Sequence, residues 1–101
     1  MKIKVFCIGG ISTSRLVTKM QEVASTRGMD AEIGSFPETT FDTETNDCDV
    51  ALFAPQIHFL LEKAQLISDP KGVPCAVIDR QDYENIDAEA VLDVALTLAK
   101  K

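Results

Sequence analysis

One stretch near the amino terminus combines a cysteine, two adjacent glycines and three hydroxyl side chains: residues 7–14 read Cys-Ile-Gly-Gly-Ile-Ser-Thr-Ser. Glycines adopt positive φ easily, so this segment can curl and point successive backbone N–H groups inward to form an anion site. A helix N-terminus after it adds a positive field, which also favours the thiolate form of a nearby cysteine. The pattern predicts that Cys7 is a nucleophile at the rim of a cradle for a tetrahedral anion. The predicted cradle comprises Ile8, Gly9, Gly10, Ile11, Ser12, Thr13 and Ser14.

Several known types of phosphate loop differ from this stretch. It has no Lys before the hydroxyl residues, as the P-loop of nucleotide hydrolases requires, and it lacks the Gly-x-Gly-x-x-Gly spacing of dinucleotide sites. Cysteine-dependent phosphatases use Cys-x5-Arg, but Thr13 occupies the arginine position and Arg15 comes two residues late. Without that guanidinium, the loop is suited to hold a phosphoryl group and poorly equipped to hydrolyse it. A plainer interpretation stays open, in which Cys7 ends a strand as a small apolar residue and the glycines form an ordinary turn.

Strand-like and helix-like segments alternate along the chain and would position this cysteine. The predicted strands are Lys2–Cys7, Asp30–Phe36, Asp49–Ala54 and Pro74–Asp79. The predicted helices are Ser14–Arg27, a helix that starts at Pro55 and extends past Ile67, and a last helix that is N-capped by Asp87. The acidic segment Glu38–Asp47 is predicted to be a solvated connection with room for one helical turn.

This element order predicts an α/β fold, a four-stranded parallel sheet with helices on both faces in a single domain spanning residues 1–101. Right-handed crossovers and central buried strands give the strand order 2-1-3-4, as in flavodoxin-like folds and low-molecular-weight phosphatases. The topological switch point then lies between strands one and three, where ligands bind beyond the carboxyl ends of the strands. Cys7–Ser14 and Ala54–Ile57 are expected to converge there.

Composition narrows the classes of partner. The chain has 101 residues, 46% of them apolar, and 10 basic against 16 acidic residues give a net charge of −6. Such a charge disfavours binding to nucleic acid and to anionic membrane surfaces. No apolar run approaches the ~20 residues that span a bilayer, and one His with three scattered Cys makes a poor metal site. We expect a cytoplasmic protein that needs no metal.

Five further residues carry reactive or titratable side chains. Asp79 and Asp82 follow the fourth strand and are expected to serve as turn and capping groups, with a phosphatase-like acid as the alternative. His58 falls on the polar side of its predicted helix and is expected to be exposed. Cys75 is expected to be a buried apolar filler and Cys48 to be chemically inert.

Three segments resemble the enzyme IIB components of the sugar phosphotransferase system, lactose/cellobiose/chitobiose family. Residues 7–14 match that family's cellobiose-type loop Cys-x-x-Gly-x-Ser-Thr-Ser, residues 49–57 are similar to its Asp-Val-(apolar)3-Gly-Pro-Gln segment, and residues 74–83 to its Pro-x-x-x-Ile-Asp…Asp-Tyr segment. Two departures stand out: Ala54 replaces the usual Gly before Pro-Gln, and Arg15 stands where an apolar residue is expected.

The resemblance implies that Cys7 accepts a phosphoryl group from a phosphohistidine on a cytoplasmic IIA protein. Cys7 would then donate it to a β-glucoside-type disaccharide bound in a membrane-embedded IIC permease, which the protein would meet transiently at the inner face of the membrane. Residues 8–14 would cradle the phosphate, Pro55 and Gln56 would form the neighbouring loop, and no cofactor is implied. The alternatives are a low-molecular-weight cysteine-dependent phosphatase and a non-enzymatic, anion-binding regulatory domain.

Overall fold

The computed structural model describes residues 1–8 and 11–99, and for residues 11 and 12 it describes the backbone alone. Four parallel strands form one sheet in the order β2-β1-β3-β4, which confirms the predicted topology. The strands are β1 (Lys2–Cys7), β2 (Glu32–Pro37), β3 (Val50–Phe53) and β4 (Cys75–Val77). The α-helices are α1 (Ile11–Thr26), α2 (Phe41–Glu44), α3 (Leu61–Ser68), α4 (Arg80–Glu84) and α5 (Ala88–Ala99).

The two central strands are the most apolar, because both of their faces are covered. All four residues of β3 are buried, as its uninterrupted apolar sequence predicts. β2 is an edge strand, and Pro37, its last residue, lies at a position where a missing N–H costs little. On one face of the sheet α1 packs against α5, and on the other α2 contacts α3, as right-handed crossovers require.

Helix α1 begins three residues earlier than the sequence predicts, at Ile11 rather than at Ser14. The three hydroxyl residues therefore lie in the first turn of the helix and do not precede it. The C-terminal end agrees with the prediction: Gly28 adopts φ +69, and its N–H donates to the carbonyl of Ser25 at 3.0 Å.

The connection between β2 and β3 is more ordered and more buried than predicted. Residues 38–47 fold into α2 flanked by two short 3₁₀ turns, Glu38–Thr40 and Thr45–Asp47. Phe41 is only 5% exposed, and its ring packs edge-on against Phe6 and Phe53 at centroid distances of 4.9 and 5.2 Å. Burial of this one ring pulls an otherwise polar segment onto the sheet.

The helix predicted from Pro55 also differs in detail. The chain after β3 first forms a 3₁₀ segment, Pro55–Leu60, interrupted at Ile57 by non-helical dihedral angles, and becomes α-helical only at Leu61. The interruption places the Ile57 side chain in the core. The last helix agrees with the prediction, since Asp87 Oδ1 accepts a hydrogen bond from the N–H of Ala90 at 3.1 Å.

Candidate active site

Cys7 is the last residue of the central strand β1, at the carboxyl edge of the sheet. The N–H of Ala54, directly after β3, donates to the carbonyl of Phe6 at 2.9 Å, so the ends of β1 and β3 lie side by side at the switch point. Cys7 is 6% exposed, whereas Phe6 before it is fully buried and Ile8 after it is 69% exposed. The chain thus passes from core to surface within three residues.

The residues of the predicted cradle join β1 to α1. Gly9 and Gly10, the two glycines of the predicted nest, lie outside the described residues. Because α1 starts at Ile11, Ser12 also belongs to its first turn. The N–H groups of a first helical turn have no partner within the helix, and the helix dipole adds to their attraction for an anion. The segment after Cys7 therefore offers the kind of donors that a phosphoryl group requires.

Thr13 is fully buried even though its side chain is polar. Its Oγ1 lies 2.7 Å from the hydroxyl oxygen of Tyr83, a residue of α4 that is 8% exposed. This contact joins residues 70 positions apart. No local sequence pattern predicts a role for Tyr83, since only the folded chain brings α4 against the start of α1.

The neighbouring loop lies where the sequence predicts it, at the end of β3. Pro55 is buried beneath this edge of the sheet and Gln56 is exposed. The N–H of Ile57 donates to the carbonyl of Ala54 at 3.0 Å, so the turn closes with alanine in place of the expected glycine. His58 is exposed, as predicted, and its ring meets Phe59 edge-on at 6.0 Å.

A groove of about 440 Å³ borders the first turns of α1. Its walls are Ser14, Arg15, Thr18 and Lys19 on one side and Asn85 and Ile86 on the other. Neither cation of the groove forms an ion pair with any side chain in the described part of the chain. The groove is therefore a locally cationic surface next to the cradle, on a chain with a net charge of −6.

The two aspartates after β4 differ in their surroundings. Asp79 N-caps α4, because its Oδ1 accepts hydrogen bonds from the N–H groups of Gln81 at 2.9 Å and Asp82 at 3.2 Å, which confirms the predicted capping role. Partial burial raises the pKa of Asp82 above its usual value, and the nearby carboxylates of Asp79 and Asp87 raise it further.

The other two cysteines are poor nucleophiles, as predicted. Cys75 lies within β4 and is half-buried, not buried as predicted, and this partial burial raises the pKa of its thiol to about 12. Burial also raises the pKa of Cys48, whose Sγ lies 3.1 Å from the carbonyl oxygen of Val50. Both thiols are protonated at neutral pH, so neither competes with Cys7 for an electrophile.

Within residues 1–8 and 11–99, no three His, Cys, Asp or Glu side chains are grouped so that they could hold a metal ion. In the same part of the chain, no helix has the length and apolar character needed to cross a bilayer.

Comparison with known proteins identifies the family. Residues 2–94 match the family model "PTS system, Lactose/Cellobiose specific IIB subunit". The oligo-beta-mannoside-specific EIIB component of Bacillus subtilis is 35% identical, with 96% of this chain and 94% of the relative covered. The cellobiose-specific EIIB component of Lactococcus lactis subsp. lactis is 37% identical, with coverage of 95% and 94%.

Solved structures agree. The solution structure of a cellobiose-specific phosphotransferase IIB component protein from Borrelia burgdorferi superimposes with a TM-score of 0.81 at 34% identity, over 97% of this chain and 90% of that one. The lactose-specific IIB domain from Streptococcus pneumoniae, at 16% identity, shares the fold with a TM-score of 0.87 over 97% and 96% of the two chains. The chain therefore belongs to the lactose/cellobiose-specific IIB family of the phosphotransferase system, whose members are phosphotransferase components.

Proposed function

We propose that Cys7 accepts a phosphoryl group from a phosphohistidine of a IIA protein and donates it to a sugar held by a membrane IIC permease. The observation that carries the proposal is the position of Cys7. It ends β1 at the switch point and directly precedes the turn into α1, in a chain of the IIB family. In open parallel sheets, ligands bind beyond strand ends at this point.

The first step is an in-line displacement at phosphorus. The Cys7 thiolate attacks, and the S–P bond forms as the N–P bond breaks. The imidazole of the donor leaves with the electron pair and, because its other ring nitrogen carries a proton, it leaves as the neutral base. Backbone N–H groups of residues 8–14 would bind the three equatorial oxygens, over which the charge of the transition state is spread. Since the N–P bond is reactive, alignment and charge stabilisation suffice, and no general acid is required.

The second step reverses the roles. A sugar hydroxyl attacks the phosphorus of phosphocysteine, the O–P bond forms, the S–P bond breaks, and the thiolate of Cys7 is restored while the hydroxyl proton passes to a base on the permease or to water. The donors that hold the phosphoryl group must not stabilise the phosphocysteine too strongly, because transfer would then stall.

The arrangement favours a carrier over a hydrolase. Thr13 occupies the position of the phosphatase arginine, and its side chain is buried against Tyr83. Arg15 lies in the groove beside the cradle. Asp79, one candidate for an acid, serves as the cap of α4. Without a guanidinium clamp in the loop, hydrolysis is poorly supported, and the phosphocysteine persists until the sugar arrives.

We assign a β-glucoside-type disaccharide as the sugar, on the cellobiose-type pattern of residues 7–14 and on the cellobiose-specific relative. A coupled uptake assay with the cognate permease would compare cellobiose, lactose and galactose. Phosphorylation of cellobiose at the highest kcat/KM supports the assignment, and a preference for galactose or lactose contradicts it.

The central test is substitution of the acceptor. The wild-type protein and the C7S variant would be mixed with phosphoenolpyruvate, the general phosphotransfer proteins and a IIA protein, and their intact mass and phosphorus NMR spectra recorded. We expect one phosphate on the wild-type protein, none on C7S, and unchanged circular dichroism. C48S is the matched control, because the thiol of Cys48 is protonated and lies outside the switch point. The C48S variant should be phosphorylated like the wild type.

Phosphorylation of C7S at the wild-type rate would remove Cys7 from its assigned role. A wild-type protein that stays unphosphorylated with a charged IIA donor would instead favour an anion-binding regulatory domain. Rapid hydrolysis of an aryl phosphate by the wild-type protein, lost in C7S, would favour a phosphatase.

A further inference from the structure

Two buried hydroxyl groups, those of Thr13 and Tyr83, join the start of α1 to the chain after β4. Oγ1 and the phenol oxygen lie 2.7 Å apart, and Thr13 is fully buried. A buried hydroxyl is costly unless it is hydrogen-bonded, and an apolar pair of the same shape would avoid that cost altogether. Two hydroxyl groups gain instead a fixed distance and direction, which apolar contacts do not impose.

The segment that carries Tyr83 is held on both sides. Asp79 caps the start of α4. After α4, the N–H of Asp87 donates to the carbonyl of Asp82 at 2.8 Å, and Ile86 adopts φ 53. A β-branched residue in the left-handed region is strained and persists only where its surroundings demand it. The turn therefore fixes the phenol ring and leaves it little freedom to follow movements of α1.

Thr13 lies in the first turn of α1, within the segment that we propose as the phosphate cradle. A displacement of Thr13 also moves the N–H groups of its neighbours, because they share one helical turn. Placement of reacting groups is sensitive, and a shift of about 1 Å costs on the order of a hundredfold in rate. A bond that fixes Thr13 therefore fixes the donors around Cys7.

We infer that Tyr83 is a positioning residue for phosphoryl transfer, which acts through its hydroxyl group on Thr13 to set the orientation of the first turn of α1. The inference rests on the proposed function of Cys7. Tyr83 touches neither the donor nor the sugar in this scheme. Because Tyr83 contributes to the alignment of the cradle, it affects the maximal rate of transfer and not the affinity for the donor.

The test is Y83F, which removes one oxygen and keeps the ring. Phosphorylation of Cys7 would be followed by rapid quenching at increasing concentrations of a phosphorylated IIA protein. We expect the maximal rate to fall about tenfold, a fraction of what a full misplacement costs, with the half-saturating donor concentration unchanged. T13V removes the other half of the bond, and the double variant should be no slower than the slower single variant, because both changes delete one interaction.

The matched control is T45V. Thr45 is also a buried threonine, and its hydroxyl group donates to the carbonyl of Phe41 at 2.8 Å in the connection between β2 and β3. Loss of this bond should lower the melting temperature by about 5 °C, like the loss of the Tyr83 hydroxyl. The rate of phosphoryl transfer should remain that of the wild type.

Each outcome separates the two proposals. If the wild-type protein is phosphorylated and Y83F equals its rate within twofold, the inference is wrong and the proposed function stands. Equal slowing of Y83F and T45V, or additive rate losses in the double variant, also overturns the inference, because the effect would then follow stability alone. If Y83F does not fold, T13V against T45V decides in the same way. A wild-type protein without phosphocysteine overturns both proposals.

Discussion

The buried hydroxyl groups show how differently single residues of one type are used. Thr13 is bonded across the molecule to Tyr83, and Thr45 is bonded within its own segment and also accepts from the ammonium group of Lys71 at 2.9 Å. Ser68, at the end of α3, is equally buried, but its Oγ has no hydrogen-bond partner among the described residues. A buried hydroxyl without a partner costs about 1–3 kcal/mol.

Substitution of Ser68 by alanine should therefore stabilise the protein. The change removes the unsatisfied oxygen and leaves a void of only one atom, and alanine also has the higher helix propensity. We expect S68A to raise the free energy of unfolding by about 1 kcal/mol, measured by urea denaturation. T45A should lower it, because Thr45 has partners to lose. A clear destabilisation by S68A would show that the hydroxyl group is satisfied in solution.

At the scale of elements, the connection between β2 and β3 is the part of the fold that depends most on one side chain. Its sequence is polar and acidic, and its largest buried side chain is Phe41, whose ring packs between Phe6 and Phe53. Because the core beneath the site is shared with β1 and β3, this anchor also supports the strands that end at the switch point.

We expect F41A to cost about 3–5 kcal/mol of unfolding free energy, the range for loss of a buried phenylalanine. F59A is the control, since Phe59 is 67% exposed and its loss should change stability by no more than about 0.5 kcal/mol. Both values would come from chemical denaturation of the purified protein. Similar small effects of the two substitutions would mean that residues 38–47 are not anchored by Phe41.

Some features of these elements could be predicted from the sequence, and others could not. The sheet order was predictable, because buried strands must be central and crossovers are right-handed. The start of α1 was not, since serine and threonine serve equally as caps before a helix and as residues of its first turn. The burial of Phe41 was not predicted, because one apolar residue in a polar segment produces no periodicity.

The candidate site was likewise predictable only in part. The position of Cys7 at a strand end followed from local pattern, and the structure places it next to Ala54 as expected. The partnership of Thr13 and Tyr83 could not be predicted, because the residues are 70 positions apart and only the complete fold brings them together. Adjacent residues therefore indicate where the reactive group lies, whereas the contacts that position it come from distant parts of the chain.

The distribution of charge is a property of the whole molecule. Four basic side chains in the described part of the chain form ion pairs: Lys2, Lys4, Arg27 and Lys71. Arg15 and Lys19 do not, and both line the groove next to the cradle. A dianionic phosphoryl group that approaches a chain with a net charge of −6 is attracted at this groove, although most of the surface repels it.

Charge reversal at this groove should slow capture of the phosphoryl group. We expect R15E to reduce the second-order rate of Cys7 phosphorylation by about tenfold at low ionic strength, with the difference shrinking as salt is added. The control is K63E on α3. Lys63 also forms no ion pair with any residue that the structure describes, and its reversal makes the same change in net charge on the other face of the sheet. Equal effects of R15E and K63E would mean that net charge alone matters.

The hydrogen bond of Tyr83 has one more consequence, for measurement. Tyr83 is the sole tyrosine of the chain, which contains no tryptophan. Absorption and emission beyond the phenylalanine band therefore arise from a single ring, and the hydroxyl group of that ring is bonded to the first turn of α1. The unlabelled protein thus has an intrinsic optical probe, and its spectrum should change when a phosphoryl group binds at or leaves the adjacent end of the helix.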